Sequence, residues 1–402
     1  MNRILIGFLL FQFVSVIGAS YDCGRPWCET CLSTQIHDAP GVGFDLTPSY
    51  GTASVHYYNG TVVEVAQVQG NPEYLELMKR LARDSRLWFD RTKKSRYETI
   101  LSGFSLSDTT AWGAWWRWLN KQFGSPIKAH NDVEIISDLL QVLQISTEKK
   151  TSQPLDRVAV TTPDLSSISS IVNAALGDLK LRTWIGDSGF YPRSLAEADT
   201  IFAANGYGLC TNYQDLWECE QEFGKPPFPQ VFTIFYSRHL LYTSIMAPMG
   251  GQALSGFNND HAQLLDFNLG LDNLLQTKRS QDSLWPRLRS QLLVIPRNYS
   301  RSITHIFLAG ESVTHRRFLA TLKGAMAEIM PTWPGNVQTN IPDHSRPAVV
   351  SKFVDPTFAA SRGAALYARR RQEVQADCTE RSICEATRNG ERVSLSLKED
   401  LR

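Results

Sequence analysis

The sequence predicts an α/β protein in two lobes, and three features carry that prediction. At 402 residues the chain can bury a large core and would ordinarily divide into two domains or lobes. Two hairpin patterns, one opening at Gly41 and one at Gln230, stand far apart in the chain. Near the end, an apolar strand beginning at His305 runs into Ala309-Gly310-Glu311-Ser312. An amphipathic run follows, with Phe318, Leu319, Leu322, Ala325, Met326 and Ile329 at helical spacing. A strand that ends in a small-residue turn and opens a helix puts free backbone N–H groups where a ligand can approach.

Composition narrows the function classes. A formal charge of +1 with interspersed signs argues against a dedicated nucleic-acid surface. Aromatic residues at 10 %, ten of them Trp, suit a globular chain, and no internal repeat is visible in the sequence. Residues 1–20 read as a signal peptide: Asn2 and Arg3 precede an apolar run from Ile4 to Ile17 that ends in Gly18-Ala19-Ser20. That run is too short to span a bilayer, so the expectation is a secreted protein starting near Tyr21, with no membrane association after signal removal.

Seven cysteines fit an oxidising compartment. Cys23, Cys28 and Cys31 lie in the segment 21–40, and the close spacings further on suggest bridges Cys210–Cys219 and Cys378–Cys384. One further bridge within the N-terminal trio would leave one odd thiol. Cys28-Glu29-Thr30-Cys31 alone lacks the second pair of a zinc site. Asn59-Gly60-Thr61 and Asn298-Tyr299-Ser300 are glycosylation sequons, so Asn59 and Asn298 are candidate sites in a secreted chain.

In order, a strand reaches Asp45 and Leu46, a turn follows, and a second strand runs to Tyr58. Asn59-Gly60 marks a tight turn into a third strand, Thr61 to Val68. Helices are expected over 71–87, 110–123 and 132–143. In the second of these Trp112, Trp115, Trp116, Leu119 and Phe123 share one face, a core stripe. A strand ending at Pro163, a helix over 168–177 and a strand over 179–185 precede the helix that carries Glu197 and Asp199. After Pro226-Pro227-Phe228-Pro229, residues 230–246 read as a hairpin whose tip, Ser237-Arg238-His239, is a solvated turn. Asp355 to Ala365 opens a last helix with an Ala/Gly face suited to close packing, and Arg369-Arg370-Arg371 reads as its solvated end.

Taken in order, these pieces over residues 41–372 resemble the nucleotide-binding domain of Hsp70, within the actin-like ATPase (ribonuclease H-like) superfamily. The matching segments are Gly43-Phe44-Asp45-Leu46-Thr47-Pro48-Ser49 for the first phosphate loop, Val158 to Pro163, Glu197 to Gly208, Leu264 to Leu274, Ala309 to Ser312 for the adenosine loop, and Asp355 with Gly363. The resemblance implies a two-lobed actin-like fold with lobe I over 41–231, completed by 355–372, lobe II over 232–354 and a tail over 373–402. It implies ATP or ADP with magnesium in the cleft. Gly43, Asp45, Thr47, Ser49, Gly310, Glu311, Ser312 and Asp355 would then hold nucleotide, Asp45 would sit near the metal, and Asp45 and Asp199 would place metal and water for catalysis. The family's catalytic lysine has only Lys93 and Lys94 as positional candidates.

The departures point away from turnover. Thr47 and Pro48 add a β-carbon and remove an N–H where the family has a glycine-type turn. In the second phosphate loop Phe235 replaces an Asp, and Ser237-Arg238-His239 replaces three glycines. The family's peptide-binding domain is not matched. The expectation is a secreted pseudo-ATPase that acts as a binding module for a protein partner. The alternatives are an active Hsp70-like ATPase and a structural glycoprotein without nucleotide.

Overall fold

A computed structural model describes residues 27–98, 126–165, 167–183, 195–209, 211, 213, 222, 229–248, 262–275, 278–299, 301–329, 338–339, 354–373, 378 and 380–389. The expected signal segment, the 110–123 helix, Cys23, Cys210 and Cys219 lie outside these residues. The chain separates into two compact units, Leu32–Val374 and a smaller one made of Met1–Cys31 with Gln375–Arg402.

The large unit is mixed α/β. After a short helix, α1 (Thr34–His37), come strands β1 (Gly41–Leu46), β2 (Tyr50–His56) and β3 (Val62–Gln69). Helices α2 (Pro72–Glu98) and α3 (Pro126–Thr151) follow, then β4 (Arg157–Thr162), α4 (Ile168–Asp178), β5 (Arg182–Thr183), β6 (Leu195–Ala196) and α5 (Glu197–Ala204). The hairpin β7 (Val231–Tyr236) and β8 (Leu241–Met246) begins a second series, with β9 (Ala262–Asp266), α6 (Leu271–Leu275) and α7 (Lys278–Asn298). The series ends with β10 (His305–Ala309), α8 (Arg316–Ile329), β11 (Gln338–Thr339) and α9 (Ala359–Gln372), and α10 (Ser382–Arg388) belongs to the small unit.

The strands build two sheets on one plan. The first has the order β3-β2-β1-β4-β5, with β6 also on β4, and the second has β9-β8-β7-β10-β11. In the first, β1 pairs antiparallel with β2, β2 antiparallel with β3, and β1 parallel with β4. In the second, β7 pairs antiparallel with β8, β8 antiparallel with β9, and β7 parallel with β10. The repeat invisible in the sequence is therefore present as topology, because sheet order depends on hydrophobic runs and turns rather than on side-chain identity.

Both strands of each hairpin are buried along nearly their whole length, including polar positions such as Thr52, Ser54, Thr233 and Thr243. The first sheet packs on Tyr74, Leu77 and Met78 of α2 and on Ile136, Leu140 and Leu143 of α3. The second packs on Leu288 and Leu292 of α7 and on Phe318 and Leu322 of α8. The Ala/Gly face expected of the last helix is real. A β-carbon on Gly43 would lie 2.2 Å from the Ala365 backbone nitrogen, and one on Gly363 would lie 1.9 Å from the Thr200 carbonyl oxygen. Thus α9 lies backbone-close on β1 and α5, and only glycine permits that approach.

Arg369, expected in solvent, is 2 % exposed and pairs with Glu373 at 2.7 Å. Its guanidinium lies over the Tyr58 ring, Arg370 lies over Tyr213 and Arg371 over Tyr367, so the helix end is stacked rather than solvated. The close packing of Gly41 against Arg369 draws this end of α9 inward.

The small unit corrects the cysteine pairing. Cys28 is bonded to Cys378 and Cys31 to Cys384, across 350 and 353 residues of sequence. Neither the bridge within the N-terminal trio nor Cys378–Cys384 forms. Spacing along the chain does not fix connectivity, and here the two chain ends supply each other's partners. Two such bonds suit an oxidising compartment. No helix among the described residues is long and apolar enough to cross a membrane.

Candidate functional site

The two sheets meet where their first hairpins turn, and the turns are built alike. In the first, the Thr47 backbone N–H donates to the Tyr50 carbonyl at 2.9 Å. Thr47 Oγ1 accepts from the Ser49 and Tyr50 backbone N–H groups at 3.1 and 2.9 Å. In the second, the Ser237 N–H donates to the Leu240 carbonyl at 3.1 Å. Ser237 Oγ accepts from the His239 and Leu240 N–H groups at 3.3 and 3.2 Å. A hydroxyl that takes the amides two and three residues on closes each loop without needing a ligand.

Each turn is also backed from behind. The Tyr74 hydroxyl donates to the Thr47 carbonyl at 2.6 Å, and the Gly70 N–H donates to Ser49 at 3.0 Å. Across the molecule, the Leu271 and Asp272 N–H groups donate to Ser237 and Arg238, with Gly270 lying against the His239 backbone. The tips then meet directly: Ser49 Oγ and His239 Nδ1 share a hydrogen bond of 2.8 Å.

Below the tips the space is apolar. Phe235, Tyr242, Phe307 and Ala309 of the second sheet, with Leu240 of its turn, belong to the same buried cluster as Phe44, Leu46 and Tyr50 of the first. The Tyr50 and Phe235 rings lie 5.8 Å apart. Phe235 was expected only to remove an acid; in the structure it joins the two halves of a core.

Beside this apolar floor sits a buried acid pair. Asp45 is the next-to-last residue of β1 and Glu197 begins α5, and they are 2 and 3 % exposed. Asp45 Oδ1 and both Glu197 oxygens have no hydrogen-bond partner among the described residues. Burial drives the Asp45 carboxyl well above the usual carboxylate range, and the neighbouring Glu197 adds to the shift. Burial pushes Glu197 up to about 8. Tyr50 and Tyr74 are raised too, by burial first and then by these same acids, with Glu311 also acting on Tyr50. Among the described residues no group of three or more His, Cys, Asp or Glu could hold a metal ion.

The expected nucleotide residues thus have occupations inside the protein. Gly43 serves helix packing, and Thr47 and Ser49 are wholly buried in the self-closed turn. Gly310, at φ +102°, is forced by the Tyr236 carbonyl, 2.3 Å from where its β-carbon would stand; its N–H donates to Pro356. The Ser312 N–H donates to Tyr236. Asp355 accepts from the Thr357 N–H at 2.8 Å and so shapes the approach to α9. Glu311 reaches from the second sheet to the first: its Oε2 accepts from Gln67 Nε2 at 2.7 Å and Gln69 Nε2 at 2.8 Å, and its Oε1 accepts from the Arg238 N–H at 3.3 Å. The amides that would wrap phosphate oxygens are spent within the turns, so this arrangement does not fit a triphosphate.

Asp199 lies in the first turn of α5 and is 1 % exposed. Glu197, to which the resemblance assigns no role, is the acid that acts on Asp45. The signal was present as a Glu at the first position of a helix that follows a strand end. Lys93 and Lys94 lie in α2, in a part whose side chains are outside the described residues. Asn59 and Asn298 are both exposed; the Asn298 side chain donates to Val294 at 2.7 Å. No protein-family model matches this chain, and no curated protein matches its sequence.

Proposed function

We propose that this chain is a secreted, glycosylated module of the actin-like, Hsp70-type fold that does not hydrolyse ATP and works by binding a protein partner. The duplicated sheet order, with two antiparallel pairings and one parallel pairing at each centre, supports the fold. The observation that carries the function is the contact of the two turns: their amides are satisfied by Thr47 and Ser237, and their tips are bonded through Ser49 and His239. The cleft is occupied by the protein itself.

The alternative, ATP hydrolysis with Asp45 and Asp199 placing metal and water, draws on the buried acids alone. Raised pKa values suit acid–base work, yet they also follow from burial without any reaction.

The deciding experiment is thermal unfolding of the mature protein with Mg-ATP, ADP and adenosine, paired with phosphate release. A ligand that binds only the native state raises the apparent melting temperature by mass action. The expected result is no magnesium-dependent turnover and no shift with Mg-ATP. Turnover at ordinary Hsp70 rates, abolished by Asp199→Ala, overturns the proposal.

A further inference from the structure

The polar contacts that cross between the sheets form a rim above the shared apolar floor. Ser49 meets His239, Glu311 holds Gln67 and Gln69, and Gln263 Nε2 donates to the Asp164 carbonyl at 3.0 Å. Three separate places on the first sheet and its flanks are therefore tied to three places on the second. The most connected of these is Glu311. Its carboxylate collects two carboxamide N–H groups from the outer strand β3 and one backbone N–H from the neighbouring turn. Charge-assisted bonds of this kind are the stronger ones available to neutral donors.

Several neighbouring groups present their N–H to the one carboxylate, each at a solvent-exposed position. Gln67 and Gln69 alternate on β3 and so present their side chains on one face of the sheet. Gly310, fixed in its positive-φ conformation against Tyr236, aims the following residue toward them. The turn that supplies the Arg238 N–H is itself held by α6 through the Asp272 N–H, and the Arg238 guanidinium pairs with Asp272 at 3.2 Å.

We infer that Glu311 and the Ser49–His239 pair form a clasp that holds the two sheets together. The inference rests on the proposed self-occupied cleft. Its consequence differs from that of an ordinary surface contact: removing a side chain from the second sheet must loosen the first.

Hydrogen–deuterium exchange on Glu311→Ala reads this directly. Peptides covering β3 should exchange roughly fivefold faster or more, the effect of losing about one net hydrogen bond. Glu311→Gln, which keeps one acceptor oxygen, should fall between. Glu328→Ala, which removes the partner of Arg289 and Arg297 elsewhere in the second sheet's shell, should change exchange only near α7 and α8. Faster exchange confined to residues 305–329 in Glu311→Ala overturns the clasp, as does unchanged exchange throughout. The two readings fail separately, because stabilisation of the native chain by Mg-ATP counts against the self-occupied cleft and leaves the exchange result to judge the clasp.

Discussion

The two sheets share a strand order and a turn chemistry but differ at the residues just behind the turn. Thr47 and Ser237 occupy equivalent places, each a hydroxyl accepting the amides two and three residues on. Two residues earlier the first sheet has Asp45 and the second Phe235; four residues earlier the first has Gly43 and the second Thr233. All four are buried. The hydroxyl fixes the backbone of the turn, so the residues behind it are free to differ. In the first sheet they admit a helix at backbone distance and keep an acid dry; in the second they fill a core. The fold needs the turn, while the chemistry follows from what stands behind it.

The sharpest way to break the comparison is to exchange the glycine and its counterpart. Gly43→Thr puts a branched side chain where the Ala365 nitrogen is 2.2 Å from the new β-carbon, with the Ser361 oxygen at 2.3 Å. Backbone atoms of α9 cannot yield as a flexible side chain would. The expected loss exceeds about 4 kcal/mol, enough to abolish a cooperative denaturant transition. The reverse change, Thr233→Gly, should cost only about 1–2 kcal/mol from strand entropy and lost packing. Comparable midpoints for the two variants would show that α9 is not pressed on β1 as described.

The second test concerns the acid. The folded-state pKa of Glu197 lies at about 8, above its usual 4.5, and that of Asp45 is raised as well. The folded protein therefore keeps a proton that the unfolded chain releases. This contribution to stability is fully present below the unfolded pKa and is lost as pH rises toward 8. The slope is at most about 1.4 kcal/mol per pH unit for one proton. Glu197→Gln should flatten the decline and leave the variant more stable than the parent at about pH 8. A parent protein whose melting temperature does not fall between about pH 5 and 8 would remove the acid pair from the comparison.

Much of this architecture was legible in the sequence. The Asn59-Gly60 turn, the β-branched run at Val158, the hairpin around Ser237 and the strand–turn–helix at Gly310 depend on local pattern, and local pattern is what a sequence displays. The occupation of the site was not legible. Whether the Thr47 hydroxyl serves its own backbone or a ligand turns on the conformation of its loop, and whether Glu311 meets Gln67 is decided across 244 residues of sequence. The cysteines failed for the same reason, since Cys28 and Cys378 become neighbours only in the folded chain. Arg369 looked like a solvated helix end because three successive arginines usually are; the glycine at position 41 that draws it inward lies in a distant strand.

The smallest expected difference is also the most direct comparison of the turns. Thr47→Ala removes an acceptor for two amides, at 3.1 and 2.9 Å, and a donor to the Tyr50 carbonyl at 2.8 Å, all in a wholly buried residue. The orphaned amides have no water to turn to, so the cost should be about 1–3 kcal/mol. Ser237→Ala removes the matching set at 3.3, 3.2 and 3.5 Å, longer bonds that should be worth about 1 kcal/mol or less. Thr47→Ser should recover most of the loss, because the hydroxyl rather than the methyl closes the turn. If Ser237→Ala proved the costlier change, the second turn would be the one that depends on its hydroxyl. The first would then be held chiefly by Tyr74 and Gly70 behind it, and the shared turn chemistry would not be what the two sheets have in common.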